Sequence, residues 1–581
     1  MKKNHHSSHW RGRIVLSIIF VCSASVILRL FFLQVISSDE LTARAEKQYR
    51  QKVNNVGSRG NLYFSDGSLL VGNQTVYRLF AEPILFDRPS AEVAQILGQI
   101  LISDSEQYES ATSSARVELE ENLTADLETK LSAENKTWIG LRERISESIK
   151  QEIERKKIPG IGFDEYEVRY YPEASMAAQL TGFIGKTEAG EDIGYFGIEG
   201  ALEKELQPQR VQRQVVRDAL GGKLFSEKEE FVSLNGRDVT TTIDRDIQRI
   251  LERELQLGIQ RYEALGGEAI AYEPKTGRIL GIAAAPTFAQ EKFYLYDPES
   301  YKNPALTELY EPGSTFKILT VAAGLDTGKI TPETTCDTCT GPRQFGSYTI
   351  RTWNDEYHPN TTMSDALARS DNTAMIFISE KLGNETFVEY LKKFGIGKEL
   401  GADLQGDRDT PFPTSWRPVE TATRSFGQGI TVSSLQLVRA VAAVANNGEL
   451  LRPQIISSVF DSVEGKTHTV QPVVEERVMS TASAQTLQDM LVYAAEHGEA
   501  QWTYSKKIPV AGKTGTSQVA EEGGYKEDAT IVSFIGFSPP HDPDFLLFVK
   551  LQEPGTSPWA AETAAPLWFR MAEQISLSLR Q

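Results

Sequence analysis

The run "IVLSIIFVCSASVILRLFFLQVI", residues 14–36, holds a single charged residue, Arg29. In hydrocarbon every backbone N–H and C=O must be bonded within the segment, so a run of this kind is predicted as a membrane-crossing α-helix, for which about 20 apolar residues suffice. Lys2, Lys3, Arg11 and Arg13 precede it, and Asp39 and Glu40 follow. Positive charge is retained on the cytoplasmic side. Residues 1–13 are therefore predicted as a cytoplasmic tail, 14–36 as the anchor, and everything beyond as extracytoplasmic. A cleaved signal peptide competes, since "CSAS" offers small residues, but the apolar run continues through "LFFLQVI" and favours an uncleaved anchor. Arg29 would cost on the order of 2.5–3.5 kcal/mol at mid-span. Beyond mid-span it either snorkels to the outer headgroups or meets a partner.

At 581 residues the chain exceeds one core, and its composition, 40% hydrophobic and 24% charged, is that of globular material. A net charge of −18 excludes nucleic acid as the main partner, because phosphate binding needs a basic surface. Of three cysteines, Cys22 lies in the apolar run and Cys336 and Cys339 form a lone "CDTC". A zinc site would need two more ligands at suitable spacing, and neither a second C-x-x-C nor paired histidines follow. The pair is left as a local disulfide or two free thiols, and no metal is expected.

Residues 37–235 read as a non-catalytic module of mixed structure. "SRGNLYFSDGSLLVGN" (58–73) alternates about Asp66-Gly67, a hairpin signature. In "WIGLRERISESIKQEIERKKIPG" (138–160), Leu141, Ile145, Ile149 and Ile153 recur at steps of four, which predicts one amphipathic helix stopped by Pro159-Gly160. Near 235 the pattern changes. Val239, Thr241 and Ile243 predict a strand, Asp244 a cap, and Ile247, Ile250 and Leu251 the inner face of a helix. "EAIAYEPKTGRILGIAAAP" (268–286) predicts a hairpin, "FLLFVKLQE" (545–553) a buried strand, and a last helix starts near Pro566. Residues 236–575 are expected to form one large α+β domain, with 576–581 as a tail. No internal repeat is present.

Three segments carry candidate chemistry. In "YEPGSTFKIL" (310–319), Ser314 and Lys317 stand at i and i+3, so on a helix hydroxyl and ammonium share a face. Ser314 either caps the helix or is a nucleophile. Lys317 serves as its base only if burial or nearby positive charge lowers its pKa. The free N–H groups of a helix start would lie where an oxyanion forms. Ser370-Asp371-Asn372 opens "NTAMIFISEKLG", where Ser370 is either an N-cap or a proton relay, and Asn372 a donor and acceptor holding Lys317 and a substrate backbone. Lys513-Thr514-Gly515-Thr516 follows an apolar strand start. There Gly515 would make room for a ligand, Lys513 and the two threonine hydroxyls would bind a carboxylate, and the Thr516 N–H would be a second oxyanion donor.

S-x-x-K, S-x-N and K-T-G in this order resemble the penicillin-binding proteins and serine β-lactamases. The whole chain resembles a class B penicillin-binding protein, a monofunctional peptidoglycan D,D-transpeptidase. The likeness extends through "RG" (59–60), "RYYPEASMAAQLTGFIG" (169–185), "GIEGALEKEL" (197–206), "TTIDRDIQRILEREL", "SFGQGITVSSLQLVRAVAAVANNG" (425–448), "AGKTGTSQ" and "SFIGFSPPHDP" (533–543). "TIDRDIQ", "YEPGSTFK" and "SFGQGI" are similar to the septal, cell-division type. Two positions depart from the family pattern: "YFSDG" lacks its Asp-Arg, and Gln179 stands where its histidine is usual.

The resemblance implies a pedestal or dimerisation module before a transpeptidase domain of β-lactamase-like fold, an antiparallel sheet flanked by helices with a helical subdomain. It also implies a place in the bacterial plasma membrane. Ser314 would attack the penultimate D-alanine of a D-Ala-D-Ala stem peptide, with Lys317 as base, Ser370 as proton relay, Asn372 on the substrate backbone, and Ser314 and Thr516 N–H groups as the oxyanion hole. Lys513, Thr514, Gly515 and Thr516 would form the carboxylate site. A neighbouring amine would complete the cross-link, and β-lactams would block Ser314. No cofactor is implied; a polytopic glycan polymerase and other division proteins are the implied partners. A β-lactamase of the S-D-N class would need an E-x-x-x-N pair, for which only Glu380 and Asn384 present themselves downstream of Ser370. A sensor or inactive scaffold is the remaining alternative.

Overall fold

The computed structural model describes residues 8–38, 50–103, 108, 111–133, 136–208, 210–216, 235–505, 507–521 and 524–580. Lys2, Lys3, Asp39 and Glu40, on which the predicted orientation rests, lie outside them. Helix α1 (Ser8–Phe31) runs on as a π-helical turn, Phe32–Ile36, and Trp10–Ile36 is long and apolar enough to cross a bilayer. The Arg29 guanidinium lies over the Phe32 ring, 5.8 Å from its centroid. In the same compact unit Arg50–Val56 pairs antiparallel with Arg210–Val216.

A second unit joins Arg59–Gln207 to Gly236–Gln581. The hairpin predicted about Asp66-Gly67 is present as β1 (Leu62–Tyr63) and β2 (Leu69–Ala81), with the Ser68 N–H and hydroxyl both donating to Asp66. Helices α2 (Ser90–Ile102) and α3 (Ser113–Leu131) pack Leu97, Leu101, Leu127 and Leu131 against it. The single helix predicted over 138–160 is replaced by two elements. Strand β3 (Ile139–Ile145) pairs with β2, and only α4 (Glu147–Arg155) is helical, capped by Ser146 accepting the Ile149 N–H. A step of four is two strand periods and about one helical turn, so Leu141 and Ile145 satisfy both patterns. Ile139 and Leu141, buried on either side of exposed Gly140, are the period-2 signal. Strand β4 (Ile161–Tyr170) also pairs with β2.

Arg59, Arg169 and Glu199, from three separated motifs, converge in this region. Arg59 Nε donates to Glu199 Oε2 (2.7 Å) and Arg169 Nε to Glu199 Oε1 (2.6 Å), with the Glu199 side chain fully buried. Arg59 also reaches Glu203 at 2.6 Å.

The elements predicted from 235 onward are β5 (Asp238–Thr241), α5 (Arg245–Tyr262) capped by Asp244, and the hairpin β6 (Gly266–Glu273) and β7 (Arg278–Ala285). Beyond them come α6 (Lys317–Asp326), α7 (Asn372–Leu382), α8 (Ser434–Ala445), β8 (Ile456–Asp461), β9 (Lys466–Thr469), α9 (Thr481–His497), β10 (Ala511–Glu521), β11 (Gly524–Ser538), β12 (Phe545–Gln552) and α10 (Ala564–Ser578). One antiparallel sheet has the order β7-β6-β12-β11-β10. Helices cover both its faces, so β12 is apolar apart from Gln552 at its end and Lys550, which is fully buried and paired with Glu268 and Glu308. Leu546 and Phe548 join the cluster built with α6–α9, while Leu547, Val549 and Leu551 join α5 and α10. Fully buried Trp568 of α10 donates its Nε1–H to the Leu547 carbonyl at 2.7 Å.

A second sheet of seven strands runs β9-β8-β5-β1-β2-β3, with β4 also on β2. Its parallel pair, Leu62↔Val239 and Tyr63↔Thr240, carries it across residue 235. Arg237 spans the same junction, paired with Glu205 and Asp461. Gln179, where the resemblance leads one to expect a histidine, donates to the Pro286 carbonyl at 2.9 Å. Cys336 and Cys339, left open by the sequence, form a disulfide and are both buried.

Candidate functional site

Ser314 does not cap α6. Gly313–Phe316 form a 3-10 turn, the helix starts at Lys317, and no side chain caps it. Ser314 stays partly open to solvent while Thr315, Phe316 and Lys317 are buried. Three close approaches fix the turn. Gly313 has φ +55°, and a Cβ there would sit 2.7 Å from the Thr516 carbonyl oxygen. A Cβ on Gly427 (φ +82°) would meet the Gly313 carbonyl at 2.3 Å. One on Gly515 would meet Thr315 Cγ2 at 2.7 Å and Ser533 Oγ at 2.6 Å. The clearance predicted at Gly515 is thus occupied by the Gly313–Phe316 turn and Ser533. The Gly313 N–H donates to Gly427, the Thr320 hydroxyl to Ser425 and the Gly429 N–H to Glu311, so "SFGQGI" backs this turn. The Ser314 N–H has no backbone acceptor among the described residues.

Lys317 points inward and donates to Ser370 twice, to Oγ at 3.1 Å and to the carbonyl at 2.5 Å. Ser370 has φ +58°, a conformation that costs a non-glycine residue about 1–3 kcal/mol and that aims two oxygens at one amine. The cap of α7 is Asp371, which accepts the N–H groups of Thr373 (2.7 Å) and Ala374 (3.3 Å). Ser370 is therefore free of the capping role that the sequence left open for it. Asn372 donates to the Arg351 carbonyl at 3.0 Å, and the bond predicted between Asn372 and Lys317 is absent. Burial pushes the Lys317 ammonium down to about 7, the charge of Lys513 adds to the effect, and Glu499 and Asp371 oppose it.

Lys513–Thr516 lies on β10, the edge strand beside the turn. Lys513, itself lowered by burial and supported by Glu499, donates to Thr514 Oγ1 at 2.9 Å. The Thr514 hydroxyl donates onward to Glu499 at 2.8 Å. Its one proton is thus held by a protein carboxylate, and binding a substrate carboxylate through it requires that bond to break. Thr516 Oγ1 accepts the Ala560 N–H at 3.3 Å. Sequence reasoning missed Glu499, on the loop after α9, where no motif or spacing marks it. Glu380 and Asn384, the E-x-x-x-N match, are bonded elsewhere, to Arg343 and the Trp416 carbonyl.

Comparisons with known proteins match these two regions separately. Residues 267–572 match the penicillin-binding protein transpeptidase domain and residues 54–241 the penicillin-binding protein dimerisation domain. Stage V sporulation protein D of Bacillus subtilis is 30% identical over 565 residues, covering 96% of this chain and 84% of the relative. The peptidoglycan D,D-transpeptidase FtsI of Escherichia coli K12 is 26% identical, covering 94% and 87%. The crystal structure of penicillin-binding protein 2X from Streptococcus thermophilus superposes with a TM-score of 0.73 at 23% identity, over 91% of this chain and 81% of that one.

Proposed function

The chain belongs to the penicillin-binding protein transpeptidases, and from that premise we propose that it cross-links peptidoglycan through an acyl-enzyme on Ser314. The neutral Lys317 amine takes the Ser314 proton as the oxygen attacks the carbonyl of the penultimate D-alanine. N–H groups of Ser314 and Thr516 stabilise the oxyanion. The C–N bond then breaks, and the proton returns through Lys317 and Ser370 to the leaving D-alanine. An amine of a second stem peptide attacks the ester, loses its proton along the same path, and releases Ser314. Lys513, with Thr514 and Thr516, receives the substrate carboxylate, Asn372 steadies the donor backbone, and Gly515 keeps the strand against the turn. The scheme takes no metal or organic cofactor.

The single observation that carries this reading is the buried Lys317 amine, near neutrality and held on Ser370. The membrane-length helix supports anchoring, and Lys2, Lys3, Arg11 and Arg13 before it support a cytoplasmic N-terminus with the site outside the plasma membrane. The likeness to FtsI supports a role in cell division beside a glycan polymerase, and the likeness to a sporulation protein supports the same chemistry in sporulation. A fluorescent fusion that gathers at vegetative division sites selects the former. For the chemistry, the full chain in detergent is incubated with benzylpenicillin and its intact mass followed. A long-lived adduct, abolished in Ser314→Ala, is expected. Rapid loss of the adduct with drug hydrolysis would identify a β-lactamase, and no adduct would sink both readings.

A further inference from the structure

A buried ion pair in the sheet behind the nucleophile's turn takes no part in the scheme. Lys550 of β12 and Glu268 of β6 are both buried, and they pair directly across neighbouring strands. The register carries this pair to the site. Gly515, Ser533, Lys550 and Glu268 are successive partners across β10, β11, β12 and β6. Residues directly opposite each other in antiparallel strands share a face. The row therefore begins where Gly515 meets the turn and ends at the Glu268 carboxylate.

On that face the Lys550 ammonium lies over the Tyr310 ring, 4.6 Å from its centroid, and donates to Glu308 Oε2 at 3.3 Å. Glu308 and Tyr310 belong to the stretch that enters the Gly313–Phe316 turn. The Tyr310 backbone is bonded both ways to Val432, so the ring is what this residue presents to the sheet. One ammonium thus ties the sheet to the chain just before Ser314. Stability does not account for it. Taking a lysine and a glutamate out of water offsets most of their attraction, and apolar side chains of similar volume often serve as well or better. A cation over an aromatic face is drawn most strongly where water is excluded, and that attraction has a direction.

We propose that Lys550 is a positioning residue for the nucleophile. Held by Glu268 and drawn to the Tyr310 ring, it sets the height of the entering chain over the sheet, and with it where Ser314 stands between Lys317 and β10. It acts through Tyr310 and not on substrate, and the role rests on the transpeptidase reading. The test follows acylation of the full chain in detergent by stopped flow, over a range of benzylpenicillin concentrations. The double variant Glu268→Leu/Lys550→Met removes both charges together and strands neither. Its denaturant midpoint should stay at or above that of the unmodified chain. Its limiting acylation rate should fall about tenfold, equivalent to about 1.4 kcal/mol, with the half-saturating drug concentration held within about threefold because the carboxylate site at Lys513 is untouched. Tyr310→Phe keeps the ring and should hold the limiting rate within about threefold, whereas Tyr310→Leu should lose about tenfold. Should the double variant fail to fold, the two Tyr310 variants carry the same comparison. A folded double variant with an undiminished limiting rate, or a Tyr310→Leu variant that matches Tyr310→Phe, overturns the positioning role and leaves the Ser314 chemistry standing. A lost rate matched by a lowered midpoint is merely structural and overturns it too. An unmodified chain that benzylpenicillin does not acylate overturns the reading beneath it as well.

Discussion

A lysine in water keeps its proton to about pH 10.4, and Lys317 gives it up near 7. The protonated amine cannot accept from Ser314. Acylation by benzylpenicillin should therefore be slow in acid, rise through a midpoint of about 7, and level off above it, as stopped-flow rates across this range would show. A flat profile would remove Lys317 as the base. Glu499 raises both Lys317 and Lys513. Glu499→Gln should therefore move the acid midpoint to lower pH and draw the loss of the Lys513 charge into the alkaline end of the same profile. Ser314, Lys317, Ser370 and Lys513 are legible in the sequence because each stands at or near the start of an element within a recognisable triplet. Glu499 is not, since it reaches the site from a loop whose position only the folded chain determines.

At the level of elements, the site is an edge strand pressed against a 3-10 turn, and glycine makes the pressing possible. Gly515→Ala puts a methyl into Thr315 and Ser533, with the Pro312 carbonyl 3.2 Å away. It should shift β10 off the turn, slow acylation by at least about tenfold, and lower stability by about 1–3 kcal/mol in denaturant titrations. Full acylation by this variant would mean that the strand and turn are less tightly coupled than their spacing indicates. The sequence shows the strand and the helix here but not their contact. It likewise hides β3, because Leu141 and Ile145 fit a helix as well as a strand until β2 offers an edge to pair with. The caps repeat the point: serines at 314 and 370 are the residue type a cap prefers, yet the turn before α6 leaves Ser314 open and Asp371 takes the role at α7.

For the molecule as a whole, the residues before 208 and after 235 share one sheet and one set of ion pairs. Buried Glu199 faces Arg59 and Arg169 at once, so Glu199→Ala takes the carboxylate from Arg169 and leaves Arg59 with Glu203 alone, and should cost about 3–5 kcal/mol. Because β1 and β5 are neighbours, this loss should appear as an earlier thermal transition of the region that matches the transpeptidase domain, read as the temperature at which acylation by benzylpenicillin is lost. A separate transition that leaves acylation untouched would show that the shared sheet does not couple them. The sheet also bears on ancestry. A mosaic chain that takes residues 59–207 from one relative and 236–581 from another inherits half of a β-ladder from each parent, along with half of the Arg237 pairings. Recombination between such genes is then best tolerated at breakpoints that keep β1, β5 and β8 together, and the boundary most visible in the sequence is one of the worst places to cross over.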